Sequence, residues 1–471
     1  MSITNAFATS RSGLMATATW AEVTSTNIAN ATTDGYATRN VQTTTSTLGD
    51  VAVTGVTRSV NATLTAMVRR EYSAVGTQEA ISSGLEIYGT VLGSTDDESG
   101  LGALLTEFQS SLVLLASDPS DSSRQRAVTS AAEAVADQLN TLSSTLESTQ
   151  KTNQDTITAE VSEANAELDQ LAKLNAAIQK ETGDTERRAT LLDQRDGVLD
   201  SLAGRMDIRV TTESDGQITL MTSGGTELLK GTEVATLAHD AEAGTLTAGA
   251  IEITPRATGV RGFDEGRLAG LFELQNTTLP TFQNQLDEVA RALIEGFTAL
   301  DDTLDAGEPG LFTDAGAAYD AADLTGLAGR ISVNSAVLPE EGGSLWRLRD
   351  GIGADTVGTV AGEAGLINSN IDLLEGDMNF SAEAGLGETA TLTDFVVALT
   401  TSQQTTLSSA ESDLESLSAS ATTLETSRQN IQGVNLDNEL IQLTAIQQAY
   451  AANSQVLTTL TAMIDALLEA V

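Results

Sequence analysis

After Asp118-Pro119, apolar residues fall at steps of three, four or seven. Val128, Val135, Leu139, Leu142 and Leu146 form one run, and Val161, Ala164, Leu168, Leu171 and Ile178 resume it. Such steps return to one side of a 3.6-residue helix, so the pattern predicts a helix with one buried stripe. Asp118 is the expected N-cap and Pro119 the expected first helical residue, where a missing N–H costs nothing. A polar patch at Thr149 and Asn153 interrupts the stripe, yet the alternation holds for most of 60 residues. The average helix has about 11–12 residues, so a rod-like bundle or coiled-coil element is expected. Thr182-Gly183-Asp184 ends it. A second helix puts Leu191, Leu192, Val198, Leu199 and Leu202 on one side and stops at Gly204.

The period then changes from helical to two. Ile208 and Val210 alternate with polar residues, Ser214-Asp215-Gly216 reads as a turn, and Ile218 with Leu220, Leu228-Leu229 and Ile251 with Ile253 extend the rhythm. A β-rich module over about 205–262 follows. Helix returns at Leu268–Leu304, with Leu279, Phe282, Leu286, Val289, Leu293 and Phe297 at helical spacing. Residues 305–390 have no sustained period and read as a mixed, loop-rich insertion. From Leu392 the pattern is helical again, with Leu407, Leu414, Leu417 and Leu424 as core candidates and a break at Ile431-Gln432-Gly433. Proline occurs only at 119, 255, 280, 309 and 339, which leaves long stretches open to helix. The fold class is mainly α with inserted β-rich modules.

Both ends are amphipathic. Leu443, Ile446, Tyr450, Asn453, Leu457, Leu460, Ile464, Leu467 and Val471 keep a strict 3-4 alternation, a heptad seam that is roughly 40 Å long at 1.5 Å per residue. A single Asn in such a seam commonly fixes register or partner number. Ile3, Phe7, Leu14, Ala21 and Ile28 form a weaker counterpart near the N-terminus. The two ends are expected to pair with each other or with neighbouring copies. A head-to-tail contact whose rotation does not close makes a helical tube. The bland alternative is one amphipathic helix lying on the protein's own core.

Composition sharpens this. Hydrophobic residues make up 40% of the 471-residue chain but aromatics only 3%, a balance suited to long helices packed through small and aliphatic side chains. The net charge is −42, which repels nucleic acid and anionic lipid, so neither is an expected partner. The absence of cysteine excludes disulfides, thiolate zinc sites, iron–sulfur clusters and cysteine nucleophiles. No run approaches the ~18 apolar residues of a membrane span. The first twenty residues lack the basic region and apolar core of a cleaved signal, so any export is expected to use another route.

The segment Ser12–Tyr36, SGLMATATWAEVTSTNIANATTDGY, resembles the N-terminal signature of flagellar rod, hook and hook-associated axial proteins. Its centre is NIAN, with Asn27 and Asn30, followed by Thr33-Asp34-Gly35-Tyr36. Gly433–Leu457, GVNLDNELIQLTAIQQAYAANSQVL, resembles the matching C-terminal signature, with Gly433, Asn435 and Asp437 opening it and Gln448, Ala449, Tyr450, Ala451 and Asn453 inside it. Within that group, Leu191–Gly204 and Gly266–Leu293 are similar to the hook-associated protein 1 family. Trp20 departs from the small or aliphatic residue usual there.

The resemblance implies a nested architecture. Residues 1–45 and 433–471 would pair into a coiled-coil-like inner domain that polymerises. Residues 46–304 with 391–432 would form a long-helix layer, and 305–390 a variable outer insertion. It implies a structural subunit at the junction of hook and filament, exported unfolded. Its partners would be its own copies in a ring or helix, the hook protein, other hook-associated proteins and a flagellar export chaperone. A hook or rod subunit, or a secreted coiled-coil adhesin or enzyme, are the alternatives.

No catalytic set, cofactor site or metal site emerges from the residues. His239, the single histidine, reads as a surface residue of the β module beside Asp240. Asp96-Asp97-Glu98 and Asp301-Asp302 lack the alternating acidic spacing of a calcium loop. Asp193-Gln194-Arg195-Asp196 reads as a helix's polar face or an inter-helix salt link.

Overall fold

A computed structural model describes residues 3–47 and 49–469. The chain opens with α1 (Ile3–Ala29) and a hairpin of β1 (Arg39–Thr45) and β2 (Val51–Arg58). Then come α2 (Ala62–Leu92), α3 (Leu101–Ser117), α4 (Ser122–Lys180) and α5 (Glu186–Arg205). The β module follows, with β3 (Ile208–Thr212), β4 (Ile218–Thr222), β5 (Glu227–Lys230) and β6 (Glu233–Val234) in one antiparallel sheet. β7 (Leu237–Asp240), β8 (Thr245–Ala248) and β9 (Ile251–Glu252) make a second. Next are α6 (Arg267–Glu273) and α7 (Leu279–Ala299). A loop-rich stretch holds β10 (Phe312–Asp314), β11 (Ile331–Val333), α8 (Arg347–Asp350), α9 (Gly365–Glu375), β12 (Met378–Asn379) and β13 (Thr389–Ala390). The chain then runs through α10 (Leu392–Gln432) and α11 (Leu436–Glu469).

The 59-residue α4 is the spine, roughly 90 Å long at 1.5 Å per residue. It starts later than expected. Asp121, not Asp118, caps it by accepting from the Ser123 and Arg124 amides. Asp118 instead closes α3, its N–H bonded to the Leu115 carbonyl. Both aspartates have cap chemistry, but Pro119 and Ser120 are needed to turn the chain back from α3, so the second aspartate takes the role.

The polar patch expected at Thr149 and Asn153 divides two cores. On its N-terminal side Val128, Val135, Leu139 and Leu142 pack with α2, α3, α7 and the start of α10. On its C-terminal side Ile157, Val161, Leu168 and Leu171 pack with α5, α6 and the β module. Three asparagines of α4 stitch backbone that would otherwise be unpaired. Asn153 donates to the Leu271 carbonyl, Asn165 both donates to and accepts from Leu237, and Asn175 does the same with Ile218.

The expected single helix over 268–304 contains a π-helical turn at Leu274–Thr278. Pro280 has no N–H to give the turn before it, and the Leu279 amide reaches Leu274 instead. The irregular stretch 305–390 is loop-rich as expected, and it is sewn into the first core by Phe312, Leu327, Ile331, Val337, Ile367 and Phe380. Asp287 of α7 is fully buried and accepts from the Gly326 and Ala328 amides, which fixes this stretch to the bundle. Burial holds the Asp287 carboxyl above its ordinary range despite those bonds.

Helices α2 and α10 run along each other, as do α1 and α11. The first half of α2 carries little hydrophobic period because its buried side is diluted with small and hydroxyl residues, Thr65, Ser73, Gly76, Thr77 and Ala80, while Ile81, Leu85, Tyr88 and Leu92 give its second half a helical one. Gly76 is required there, since a Cβ would collide with the Gly204 carbonyl.

Candidate assembly interface

Helices α1 and α11 pair antiparallel, with Gly13 against Asn453 at one point and Asn27 against Glu439 further along. A Cβ on Gly13 would lie 2.9 Å from Asn453 Nδ2, so the Asn453 side chain lies directly against the Gly13 backbone there. The face α1 turns inward carries Ser10, Ala16, Thr17, Val23, Thr24 and Asn27. The expected seam residues Ile3, Leu14, Ala21 and Ile28 sit half-buried on its flank, and Phe7 is 39% exposed. Close approach explains the offset, because the contact line takes the small side chains and pushes larger ones aside.

On α11, Ile446 is buried and Leu443, Asn453, Leu457 and Leu460 are half-buried. Tyr450, Ile464 and Leu467 are exposed, and Val471 lies outside the described residues. Beside them Leu440, Ile441, Val456, Met463 and Leu468 also face solvent. The pair therefore satisfies part of its apolar surface and leaves an uncovered stripe on a monomer. From Leu440 to Ile464 there is no charged residue.

The base of the pair is a polar joint centred on Asn27. Its Nδ2 donates to the Arg39 carbonyl and to Glu439 Oε1, each at 3.0 Å, and its Oδ1 accepts from the Arg39 amide at 3.1 Å and the Tyr36 hydroxyl at 2.8 Å. One buried amide thus ties α1, the following turn, β1 and α11, using its full bonding capacity. Gly35 takes φ +75°, a left-handed turn open to glycine, and this brings Tyr36 back under α1. Burial pushes the Tyr36 phenol up to about 12, against the pull of Arg39. Asn30 closes the end of α1 by donating to the Thr26 carbonyl.

The C-terminal signature meets this joint. Thr38 donates its amide to the Gln432 carbonyl at 2.7 Å and its hydroxyl to the Gly433 carbonyl at 2.8 Å. Asn435 caps α11 by accepting from the Asn438 amide at 3.1 Å. Asp437, in the first turn of that helix, is exposed where a negative charge favours the helix dipole. Glu439 is buried, which raises its carboxyl above the usual range despite bonds from Asn27 and Thr24.

An arginine ladder joins the pair to the body, and sequence reasoning found only one side of it. Along α5, Glu186, Asp193, Asp196 and Asp200 present a row of carboxylates. Arg39 meets Glu186 and Asp193, Arg58 meets Asp193 and Asp196, Arg69 meets Asp196 and Asp200, and Arg428 meets Asp200 and Glu425, at 2.6–3.4 Å. The four arginines come from β1, β2, α2 and α10. Burial opposes ionisation of Asp196, but Arg58 and Arg69 outweigh it and hold the group below its ordinary range. At Asp193 burial outweighs Arg58 and Arg39, and the group is raised. A polar cleft of about 380 Å³ lies between the Asn30–Tyr36 turn, α5 and the end of α10, so polar contacts rather than packing hold this joint.

Elsewhere, His239 is half-buried on β7, with its ring edge-on to Phe272 at 5.5 Å. Among the described residues, no group of three His, Cys, Asp or Glu is arranged to hold a metal ion, and no helix is long and apolar enough to cross a membrane.

Residues 90–306 match the family model for the flagellar hook-associated protein FlgK helical domain, and 422–470 match that for the flagellar basal body rod FlgEFG protein C-terminal. Together these define a structural component of the bacterial flagellum. Flagellar hook-associated protein 1 of Bacillus subtilis is 24% identical, with 97% of this chain and 96% of the relative covered. That of Escherichia coli is 26% identical, with 89% of each covered. The solved flagellar hook junction protein FlgK from Burkholderia pseudomallei is 21% identical, with a TM-score of 0.43 over 53% of this chain and 46% of that one. The chain is similar to flagellar hook-associated protein 1 over nearly its whole length.

Proposed function

We propose that this protein is a structural subunit, not an enzyme, that forms the junction between hook and filament and assembles through the α1–α11 pair. The supporting observation is the pair itself: uncharged over Leu440–Ile464, half-covered, and exposing Tyr450, Val456, Met463, Ile464 and Leu467 on a strongly acidic protein. Exposed apolar surface of this kind marks a partner site. The similarity to flagellar hook-associated protein 1 supports the same reading, and with it contact with hook protein and other hook-associated proteins, and export without a cleaved signal.

Two experiments test it. Cells lacking the gene should carry hooks without filaments and lose flagellin to the medium; filaments of normal length would reject the junction role. A chain truncated before Asn453 should keep a folded body but fail to incorporate, and normal incorporation would remove the pair from the assembly mechanism.

A further inference from the structure

We infer that self-association of this chain is gated by ionic strength: acidic bodies hold copies apart in dilute salt, and screening lets the helix pairs join along their apolar stripes. The inference rests on the assembly reading above and adds the condition under which it operates.

Three observations carry it. Acidic residues number 66 against 24 basic ones. The basic side is almost all arginine, with lysine only at 151, 173, 180 and 230, and the arginines are largely turned inward. Four make the ladder on α5, Arg205 meets Glu160, Glu163 and Glu167, and Arg291 meets Glu288 and Glu295. Most carboxylates have no cation at salt-bridge distance among the described residues, and exposed acids such as Glu411, Asp413 and Glu415 stand on α10, the helix that leads to the pair. Finally, the α11 side of the contact surface carries no charge from Leu440 to Ile464, and α1 adds only Arg11 and Glu22. Approach is thus repulsive while contact is apolar.

The two respond differently to salt. The Debye length falls from ~30 Å at 0.01 M to ~8 Å at 0.15 M and ~3 Å at 1 M, so repulsion between bodies fades. The buried ladder is screened far less, and apolar contact does not weaken. Net repulsion of this kind keeps proteins soluble and monomeric, which suits a subunit that must not assemble before it reaches its place.

The test is sedimentation of the purified full-length chain from about 0.01 M to about 1 M sodium chloride, with thermal unfolding as a fold control. Oligomers should appear only as salt rises, and sodium bromide at equal ionic strength should act alike. A triple variant, Glu411→Gln with Asp413→Asn and Glu415→Gln, should associate about threefold more tightly near 0.01 M salt and equally at about 1 M. Association that is flat or falls with salt overturns the gate, as does a chain that stays monomeric throughout. A rise that follows anion identity, with sulfate far above chloride at equal ionic strength, also overturns it, because that is salting-out of apolar surface. Complementation of the deletion strain reads the junction role separately: filaments restored alongside salt-independent association would keep that role and discard the gate.

Discussion

The two halves of the molecule answer the same sequence period in opposite ways. On α4, the apolar steps end in Val128, Val135, Leu139 and Leu142, all at 0% exposure, enclosed by helices of the same chain. On α11, an equally regular series leaves only Ile446 buried among its described apolar members, while Leu467 is 55% exposed. Periodicity announces that a helix has one apolar side; it does not say whether the cover is intramolecular. The neighbours decide that. Around α4 stand long aliphatic partners, whereas α1 offers α11 a narrow line of Gly, Ser, Thr and Ala. The same division runs through the charges, which cluster as ladders in the body and are absent from Leu440 to Ile464 of α11.

The sharpest way to break this contrast is a matched pair of truncations. Phe108 is fully buried, with the rings of Phe297 and Phe312 each 5.6 Å away. Phe108→Ala should lower the unfolding free energy by about 3–5 kcal/mol in a denaturant titration. Leu467→Ala should change it by about 0.5 kcal/mol or less, yet weaken association of copies. Equal losses in monomer stability would mean that the α11 stripe is core, and the distinction between the two regions would fall.

A smaller effect is expected at the joint. Asn27→Ala removes four hydrogen bonds and leaves the buried Arg39 amide and carbonyl each short of a partner. The expected cost is about 2–3 kcal/mol, a partial loss because some of the freed groups find water. Hydrogen exchange should locate it: protection lost in α1, the 30–39 turn and the start of α11, and kept in α4 and α7. Loss spread evenly over the body would show that the joint and body unfold as one unit.

How far the sequence disclosed this follows from the type of signal each element carries. Helices α4 and α7 and the β module are legible because burial on one side imposes a period, and Ser214-Asp215-Gly216 turns with Gly216 at φ +87°. The first half of helix α2 is hidden because its close approach to α5 and α6 buries glycine, serine and threonine, whereas Ile81, Leu85, Tyr88 and Leu92 in its second half do keep a helical period. The Asn27 joint was visible only as a motif: its four bonds reach Tyr36, Arg39 and Glu439, and the last is 412 residues away. The ladder showed its carboxylates at 193 and 196, but the arginines that answer them come from four separate elements. The cohesion of residues 305–390 was likewise invisible, since it depends on single anchors such as Phe312 and on amides held by Asp287.

The smallest effect is the most diagnostic of how the pair tolerates charge. Glu439 faces Asn27 and Thr24 of α1, with Tyr36 and Arg39 close by, and Asp437 shares its helical turn. Burial raises its carboxyl, so the folded pair favours the protonated form. Its contribution is therefore fully present below the unfolded value of about 4.3 and is lost as pH rises through the raised folded value. At neutral pH the ionised group is held at a cost that the α11 amide terminus only partly offsets. Glu439→Gln keeps an acceptor for Asn27, and its new N–H can donate to the Thr24 hydroxyl that donates to the carboxylate in the parent, so at pH 7 the pair should be as stable as the parent within about 0.5 kcal/mol. On acidification the parent should gain relative to the variant, read as slower exchange of α1 and α11 amides after correction for intrinsic rates. A parent that instead loses ground to the variant as pH falls would mean that Glu439 works as an ion, completed by Arg39, and that the pair is anchored by charge as the body is.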